Sequence, residues 1–442
     1  MDAIQVTQTL GIDYIWIDSL CIIQDSPDDW FSESASMSNV YGNSYLNIAA
    51  TSAADGSHGL FHVRKEYRNQ SFLASSSTQG RIENLYHFVP AILFRHLMLE
   101  APLSRRAWVI QERLLSKRTI HFTSTQIFWE CNKITACEAF PQQLPPTFHS
   151  DIELQMTFRK RPLQDYRWED IVWLYTRCRL TFERDKLPAI SGVAKRMMTL
   201  RNCSYVCGLL REESFPLQLC WRRNGTEDGT IPRPKTQRAP SWSWAAIDCA
   251  ISYRGTDIRL WDSPVYKIYH YIEVDHSRDK AVVSPSFEIS PHALLRIDCV
   301  FLLRMVCGTD GITIPGSSYL RQWVVDGLAV MVDAIFDYPR DCHDDPHLLL
   351  VSKSIVQRTL EDRNVDCLIL QKTGGANGQY RRVGYVQLDV GRFIAAPYCD
   401  ERLFYQRLEA GTLGKQDPLK PDDYVKDLRG EDSKFMYQNE LV

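Results

Sequence analysis

Tyr14-Ile15-Trp16-Ile17-Asp18-Ser19-Leu20-Cys21-Ile22-Ile23-Gln24, then Ser26-Pro27-Asp28-Asp29-Trp30, then Tyr45-Leu46-Asn47-Ile48-Ala49-Ala50 is the stretch that decides the fold. The first run is short, apolar and closed by a carboxylate, the pattern of a strand covered on both faces. Ser26-Pro27-Asp28-Asp29 spells a helix start: an N-cap hydroxyl, proline at the first helical position, and two acids facing the positive helix end. That helix is predicted to run to about Tyr41, with Gly42-Asn43 closing it. The third run predicts a second strand, leading into the small polar turn Thr51-Ser52-Ala53-Ala54-Asp55-Gly56. Upstream, residues 2–10 place Ile4, Thr7 and Leu10 on one helical side, and Gly11 stops them. Helix, strand, helix, strand predicts a parallel α/β sheet with right-handed crossovers.

One acid breaks the pattern. At roughly 100° per residue, Trp30, Met37, Val40 and Tyr41 form one apolar stripe, and Glu33 falls inside it. A carboxylate there must find a partner, or its pKa rises. It is either a satisfied structural acid paired with an arginine or backbone, or a functional acid in a cleft.

Several blocks resemble the fungal heterokaryon-incompatibility (HET) domain. They are Tyr14 to Gln24, Asp29-Trp30, Glu33-Ser34, Met37, Val40-Tyr41, and Leu46-Asn-Ile-Ala-Ala-Thr-Ser52 to Gly59-Leu60-Phe61. Arg106-Ala107-Trp108-Val109-Ile110-Gln111-Glu112-Arg113-Leu114-Leu115-Ser116 is similar to that family's second block, and Phe128-Trp129-Glu130-Cys131 to its third. The resemblance covers about residues 1–140. The family's usual first strand, with a Tyr-Ala-Leu-Ser-Tyr-like run and a Trp-Gly, does not occur after Met1, so either the domain is N-terminally shortened or the given start lies too late. HET domains are distantly similar to TIR domains, a flavodoxin-like fold whose enzymatic members cleave the N-glycosidic bond of NAD. In those a Trp-containing helix carries the catalytic glutamate, and Trp30-Phe31-Ser32-Glu33 sits in the comparable place. The resemblance therefore implies a flavodoxin/TIR-like parallel sheet, Glu33 as catalytic acid and NAD as a substrate; no cofactor follows. It also implies a fungal protein acting in non-self recognition and programmed cell death, for which the scattered cysteines, without a CxxC pair, make the cytoplasm the expected location. Its expected partners are other proteins of the incompatibility system and further copies of itself. The alternatives are a non-catalytic interaction module and an accessory protein of a metabolic gene cluster.

Ligands of open α/β sheets bind beyond the carboxyl ends of the strands. Asp18 and Ser52 end the two expected strands, and Arg106, Gln111 and Glu112 come from the second block. Arg106 suits one of the acids or a phosphate. Trp16 and Trp30 offer flat surfaces for a base, though packing is the commoner role of such residues. Standard chemistry signatures are absent: no GxSxG, Walker loop, GxGxxG after a strand, or HExxH. Cys342-His343-Asp344-Asp345-Pro346-His347 has poor zinc spacing, and no metal site is expected. Cys21, among Leu20, Ile22 and Ile23, reads as a buried thiol.

The bulk of the chain bounds the rest. Its 442 residues, 44% hydrophobic and 11% aromatic, suffice for two or three packed domains. A formal net charge of −3 gives no reason to expect nucleic-acid binding. No apolar run approaches the roughly 20 residues of a membrane span. The 13 cysteines, without a CxxC pair, suit reduced thiols. Residues 1–140 are expected to be the α/β HET domain, 141–223 a helical segment with helices near Trp168 and Ser191–Leu200, 224–414 a β-rich domain, and 415–442 a mobile tail. Within these, Ser104 reads as an N-cap, Arg118–Phe122 and Gln126–Cys131 as paired strands, Ser75–Gly80 as a loop, and Ser241-Trp242-Ser243-Trp244 as a strand with its tryptophans inward.

Overall fold

Two compact units divide the chain, Met1–Asn202 and Cys203–Val442. The computed structural model describes residues 1–62, 72–78, 81–88, 95–145, 160–224, 233–253, 265–268, 271–274, 295–299, 302–307, 320–325, 328–338, 346–355 and 364–389. It also describes 403, 406–408, 410, 413, 420–421, 426–427 and 437–441.

In the first unit, helix α1 (Asp2–Thr9) ends at Gly11, whose φ of +67° is the left-handed stop that glycine adopts without cost. The Tyr14–Asp18 run is not a strand. Tyr14 and Ile15 are exposed, and Asp18–Cys21 forms a single helical turn, α2. The reason is local: the Asp18 carboxylate accepts from the Ser19 N–H at 2.7 Å, a bond that competes with strand pairing. Cys21, expected buried, is exposed on this turn. Helix α3 (Pro27–Asn43) begins as its sequence dictates, with the Ser26 hydroxyl accepting from the Asp29 N–H at 3.2 Å. Asp29 also turns back to accept from the Ile23 N–H at 2.8 Å, fixing α3 to the preceding turn.

Strand β1 (Asn47–Ala49) follows. The Ser75–Gly80 loop expectation is corrected for Ser75–Thr78, which belong to strand β2 (Phe72–Thr78), paired antiparallel with β3 (Arg81–Phe88); Gln79 and Gly80 lie outside the described residues. Ser104 lies within a 3₁₀ turn at Leu103–Arg105 and does not cap the next helix. Helix α4 (Trp108–Leu115) starts behind Ala107, whose N–H is held by the Arg179 carbonyl at 3.0 Å. Strands β4 (Arg118–Phe122), β5 (Ile127–Cys131) and β6 (Thr135–Cys137) complete a four-stranded sheet in the order β1-β4-β5-β6. It is mixed: β1 and β4 run parallel, while β4, β5 and β6 are antiparallel. Helices α5 (Trp168–Thr176) and α6 (Pro188–Arg201) supply the apolar interior, where Trp168, Ile171, Val172, Ile190 and Val193 are fully buried.

The second unit is β-rich. After the hairpin β7 (Ser204–Val206) and β8 (Leu209–Arg211), Trp242 and Trp244 are fully buried as expected. Their segment leads into a 3₁₀ turn (Trp244–Ala246) and is not a strand. Trp244 Nε1–H donates to the Gly208 carbonyl at 2.7 Å, and the Ser243 hydroxyl caps the turn. Short strands β9 (Arg222–Arg223) and β10 (Ile251–Ser252) pair. The main sheet then contains β11 (Val265–Ile268), β12 (Tyr271–Val274), β13 (Leu295–Cys299), β14 (Leu302–Cys307), β15 (Leu320–Val325), β16 (Leu328–Phe336), β17 (His347–Ile355), β18 (Asn364–Lys372), β19 (Gln379–Asp389), β20 (Lys426–Asp427) and β21 (Tyr437–Leu441). Six of these close on themselves: β17 pairs β14, β14 pairs β15, β15 pairs β16, β16 pairs β19, β19 pairs β18, and β18 returns to β17, all antiparallel. Closure removes the exposed edges that an open sheet must protect. The interior holds Leu348, Leu350, Cys367, Ile369 and Val386. At Gly384 a Cβ would stand 2.7 Å from the Ile335 carbonyl, so only glycine lets β16 and β19 approach there. The expected mobile tail is corrected in part: β21 pairs with β13 over five residues. Among the described residues no helix is long and apolar enough to cross a membrane.

Candidate functional site

Gln111, Glu112 and Arg113 are consecutive on α4, so about 100° separates each side chain from the next. They reach three different neighbours. Gln111 is buried and its amide donates to Met37 Sδ of α3 at 3.7 Å. Glu112 accepts a hydrogen bond from the Tyr41 hydroxyl of α3. Arg113 grips Glu130 of β5 with two N–H groups, Nε to Oε2 at 2.8 Å and a terminal nitrogen to Oε1.

Glu112 is the centre of the candidate site. Burial pushes its carboxyl up to about 7; the Arg106 guanidinium opposes this, the Asp18 charge adds to it, and the Tyr41 hydrogen bond opposes it. Tyr41 is raised in turn by its own burial and by the two acids. Trp16 closes one side, its ring edge-on to Tyr41 at 5.8 Å and 76°. The arrangement is a proton-exchanging acid beside an arginine, a tyrosine and a second carboxylate. Its acid titrates near neutrality, where a general acid or base is most effective.

The expected site residues divide accordingly. Asp18, Arg106 and Glu112 come together, and Trp16 joins them through Tyr41. Glu33 is partly exposed on α3. It lies eight residues before Tyr41, about 12 Å along the axis, and it makes no hydrogen bond or ion pair among the described residues. Trp30 packs edge-on against Trp108 at 6.1 Å, with the Arg184 guanidinium 6.0 Å from its ring. Ser52 bonds His62 Nε2 at 2.6 Å. Gln111 is packed between helices. Tyr41 was legible only as a stripe residue; its apolar neighbours hide that its hydroxyl meets an acid from another block.

A second, wholly buried network was not singled out from the sequence. Thr51 Oγ1 bonds His121 Nδ1 at 3.0 Å, and His121 Nε2 bonds Glu130 Oε2 at 2.8 Å. Burial alone would raise the Glu130 carboxyl, but Arg113 and His121 hold it well below the ordinary carboxylate range. Burial lowers His121 despite the adjacent Glu130. Lys160 Nζ is buried close by without a hydrogen-bond partner, and desolvation brings its ammonium down to about 8. The signal available was alternation: Thr119, His121 and Glu130 are polar residues in the inward phase of β4 and β5. With Thr51 only 1% exposed, this relay cannot receive a substrate and acts as structure.

Among the described residues no group of three or more His, Cys, Asp and Glu could hold a metal. Cys342 and His343 lie outside the described residues, and His347 is buried on β17, edge-on to Tyr380 at 5.1 Å.

Residues 1–112 match the model of a family described as heterokaryon incompatibility protein (HET). No curated protein and no solved structure matches the chain. Asp18, Tyr41, Arg106 and Glu112 all fall inside the matched segment, and Glu112 is its last residue. Residues 1–112 thus carry the match to the HET family, and the acid cluster lies inside that matched segment.

Proposed function

We propose that this protein acts in fungal non-self recognition and programmed cell death, and that its HET domain does so by cleaving NAD. The observation that supports this reading is Glu112, a carboxyl titrating at about 7 between Tyr41, Arg106 and Asp18. In the reaction the bond between ribose C1′ and the nicotinamide nitrogen breaks, and its electron pair leaves with neutral nicotinamide. The oxocarbenium-like centre is stabilised by the carboxylates beside it. Water attacks C1′ and gives its proton to ionised Glu112, which passes it to solvent. ADP-ribose, nicotinamide and one proton result. Arg106 suits the substrate pyrophosphate and Trp16 its base or nicotinamide face.

A TIR-like ancestry belongs to the same proposal; the parallel β1–β4 pair is compatible with it. Glu33 is the alternative carboxylate that this ancestry favours. The protein would work in the cytoplasm, with other proteins of the incompatibility system and by self-association.

Purified protein at high concentration is incubated with NAD, and nicotinamide release is followed for wild type, Glu112→Gln and Glu33→Gln. Release abolished by Glu112→Gln supports the assignment. Release abolished by Glu33→Gln alone moves the chemistry to the other end of α3. No release from folded wild-type protein leaves an interaction module as the function.

A further inference from the structure

Helices α3, α4 and α6 leave a cavity of about 400 Å³ where their C-terminal turns meet, inside the first unit. Its size is that of a small-molecule site. Four cationic side chains line it, Lys117, Arg161, Lys195 and Arg196, and no acidic one does among the described residues. None of its lining residues belongs to the Asp18–Tyr41–Arg106–Glu112 cluster.

The plain alternative is that these cations only offset the negative ends of the three helices. Charge decides against it. Each helix end carries about half a negative charge, so three of them offset fewer than two cations. Arg161 is set against Asp170 at 3.9 Å and over the Tyr166 ring at 4.3 Å. Lys117, Lys195 and Arg196 have no hydrogen bond or ion pair through their side chains among the described residues, and they still outweigh the helix ends. Unmatched like charges gathered at one concave site repel each other, and a bound anion relieves that repulsion. The remaining lining is mixed. Asn39, Asn43, Asn132 and Gln164 offer both donors and acceptors, beside the apolar Leu163 and Leu200.

We propose that this cavity binds a small soluble organic phosphate of the nucleotide monophosphate class. Lys117, Lys195 and Arg196 meet the phosphate, and the amides and leucines meet the neutral body. The inference stands apart from NAD cleavage, because neither its residues nor its readout involve Glu112.

Isothermal titration of the full chain with AMP, inorganic pyrophosphate and adenosine tests it. AMP and pyrophosphate are expected to bind, more weakly as salt rises, and adenosine is not. The Lys195→Gln/Arg196→Gln double variant changes exposed side chains only. It is expected to keep the wild-type melting temperature and to lose about tenfold or more in AMP affinity. Absence of heat with both phosphates overturns the proposal, as does adenosine binding equal to that of AMP, or a double variant that binds like wild type. Co-sedimentation with vesicles containing phosphatidylinositol 4-phosphate, without binding of AMP, would also overturn it by reassigning the site to a lipid headgroup.

Discussion

Replacing Glu112 by glutamine is expected to stabilise the HET domain at alkaline pH while removing its proposed chemistry. Burial raises the carboxyl from 4.5 to about 7 in the folded protein. Between those values the folded state holds a proton that the unfolded chain has released, so stability falls as pH rises through this window. Every tenfold difference in acid strength between the two states is worth about 1.4 kcal/mol. The native carboxyl therefore costs the fold about 1 kcal/mol at pH 5 and about 3 kcal/mol at pH 8. Glutamine keeps an acceptor for the Tyr41 hydroxyl and never ionises. Relative to wild type it should gain most of that difference at pH 8 and little at pH 5. In a unit of this size the pH 8 gain corresponds to roughly 6 to 12 °C in Tm. Thermal melts of both proteins at the two pH values, followed by tryptophan fluorescence, measure it. A stability change that is the same at both pH values would refute the reasoning, because the acid would then not be titrating inside the fold.

Glu130→Gln leaves Arg113 buried without its anion, and a loss of about 3 to 5 kcal/mol in denaturant unfolding of the first unit is expected. The same network sets the acid limit. Glu130 and His121 both have lowered pKa values in the fold, so their contribution to stability is lost as pH falls, first below about 6.5 through His121 and then below about 4.5 through Glu130; in the Glu112→Gln background, which removes the opposing Glu112 titration, a stability profile flat across both ranges would contradict it. Gly192→Ala puts a Cβ 2.6 Å from Gln111 Oε1 and 2.8 Å from Ser38 Cβ, and should cost about 1 to 3 kcal/mol by overpacking, read by urea denaturation. In the second unit, buried Arg382 stacks 3.3 Å over Trp221 and donates to the Leu219 carbonyl at 2.7 Å and to Asp337 at 3.2 Å. Lysine cannot reproduce that fork, so Arg382→Lys should cost about 3 kcal/mol or more and lower the unit's melting temperature.

What the sequence made legible was local. Ser26 and Pro27 announce α3 because capping chemistry acts over three residues, and β4 and β5 alternate visibly because one face is buried. The Tyr14–Asp18 run misleads for the opposite reason. Its apolar composition suits a strand, but a strand needs a partner, and the bond from the Ser19 N–H to the Asp18 carboxylate favours a turn at that point. The closed ring of β14 to β19 depends on pairings between segments tens of residues apart, which composition does not encode. His347 drew attention as part of a Cys/His cluster, whereas the Leu348-Leu349-Leu350-Val351 run beside it marks the strand that carries it inward. Of the site, Asp18, Arg106 and Glu112 stood out as polar residues at expected strand ends or in the second block. Tyr41 did not, because its hydroxyl acquires meaning only when α4 packs against α3.

That packing joins the two networks. Glu112 and Arg113 are neighbours on α4, yet one faces the acid cluster and the other a fully buried glutamate in the sheet. The bidentate Arg113–Glu130 pair fixes the rotation of α4 about its axis, since no other rotation lets both nitrogens meet both oxygens. The same rotation delivers Glu112 to Tyr41. Gln111, wedged against Met37 and the Gly192 turn of α6, prevents α4 from sliding toward either partner. The Gln-Glu-Arg triplet therefore ties α4 to two neighbours at once, Gln111 and Glu112 to α3 and Arg113 to β5. A carboxyl raised to about 7 is unstable unless its neighbours are rigid, because a loosened helix would let water in and return it to its ordinary value. The buried relay through Thr51, His121 and Glu130 holds the anchor of Arg113 from the sheet side.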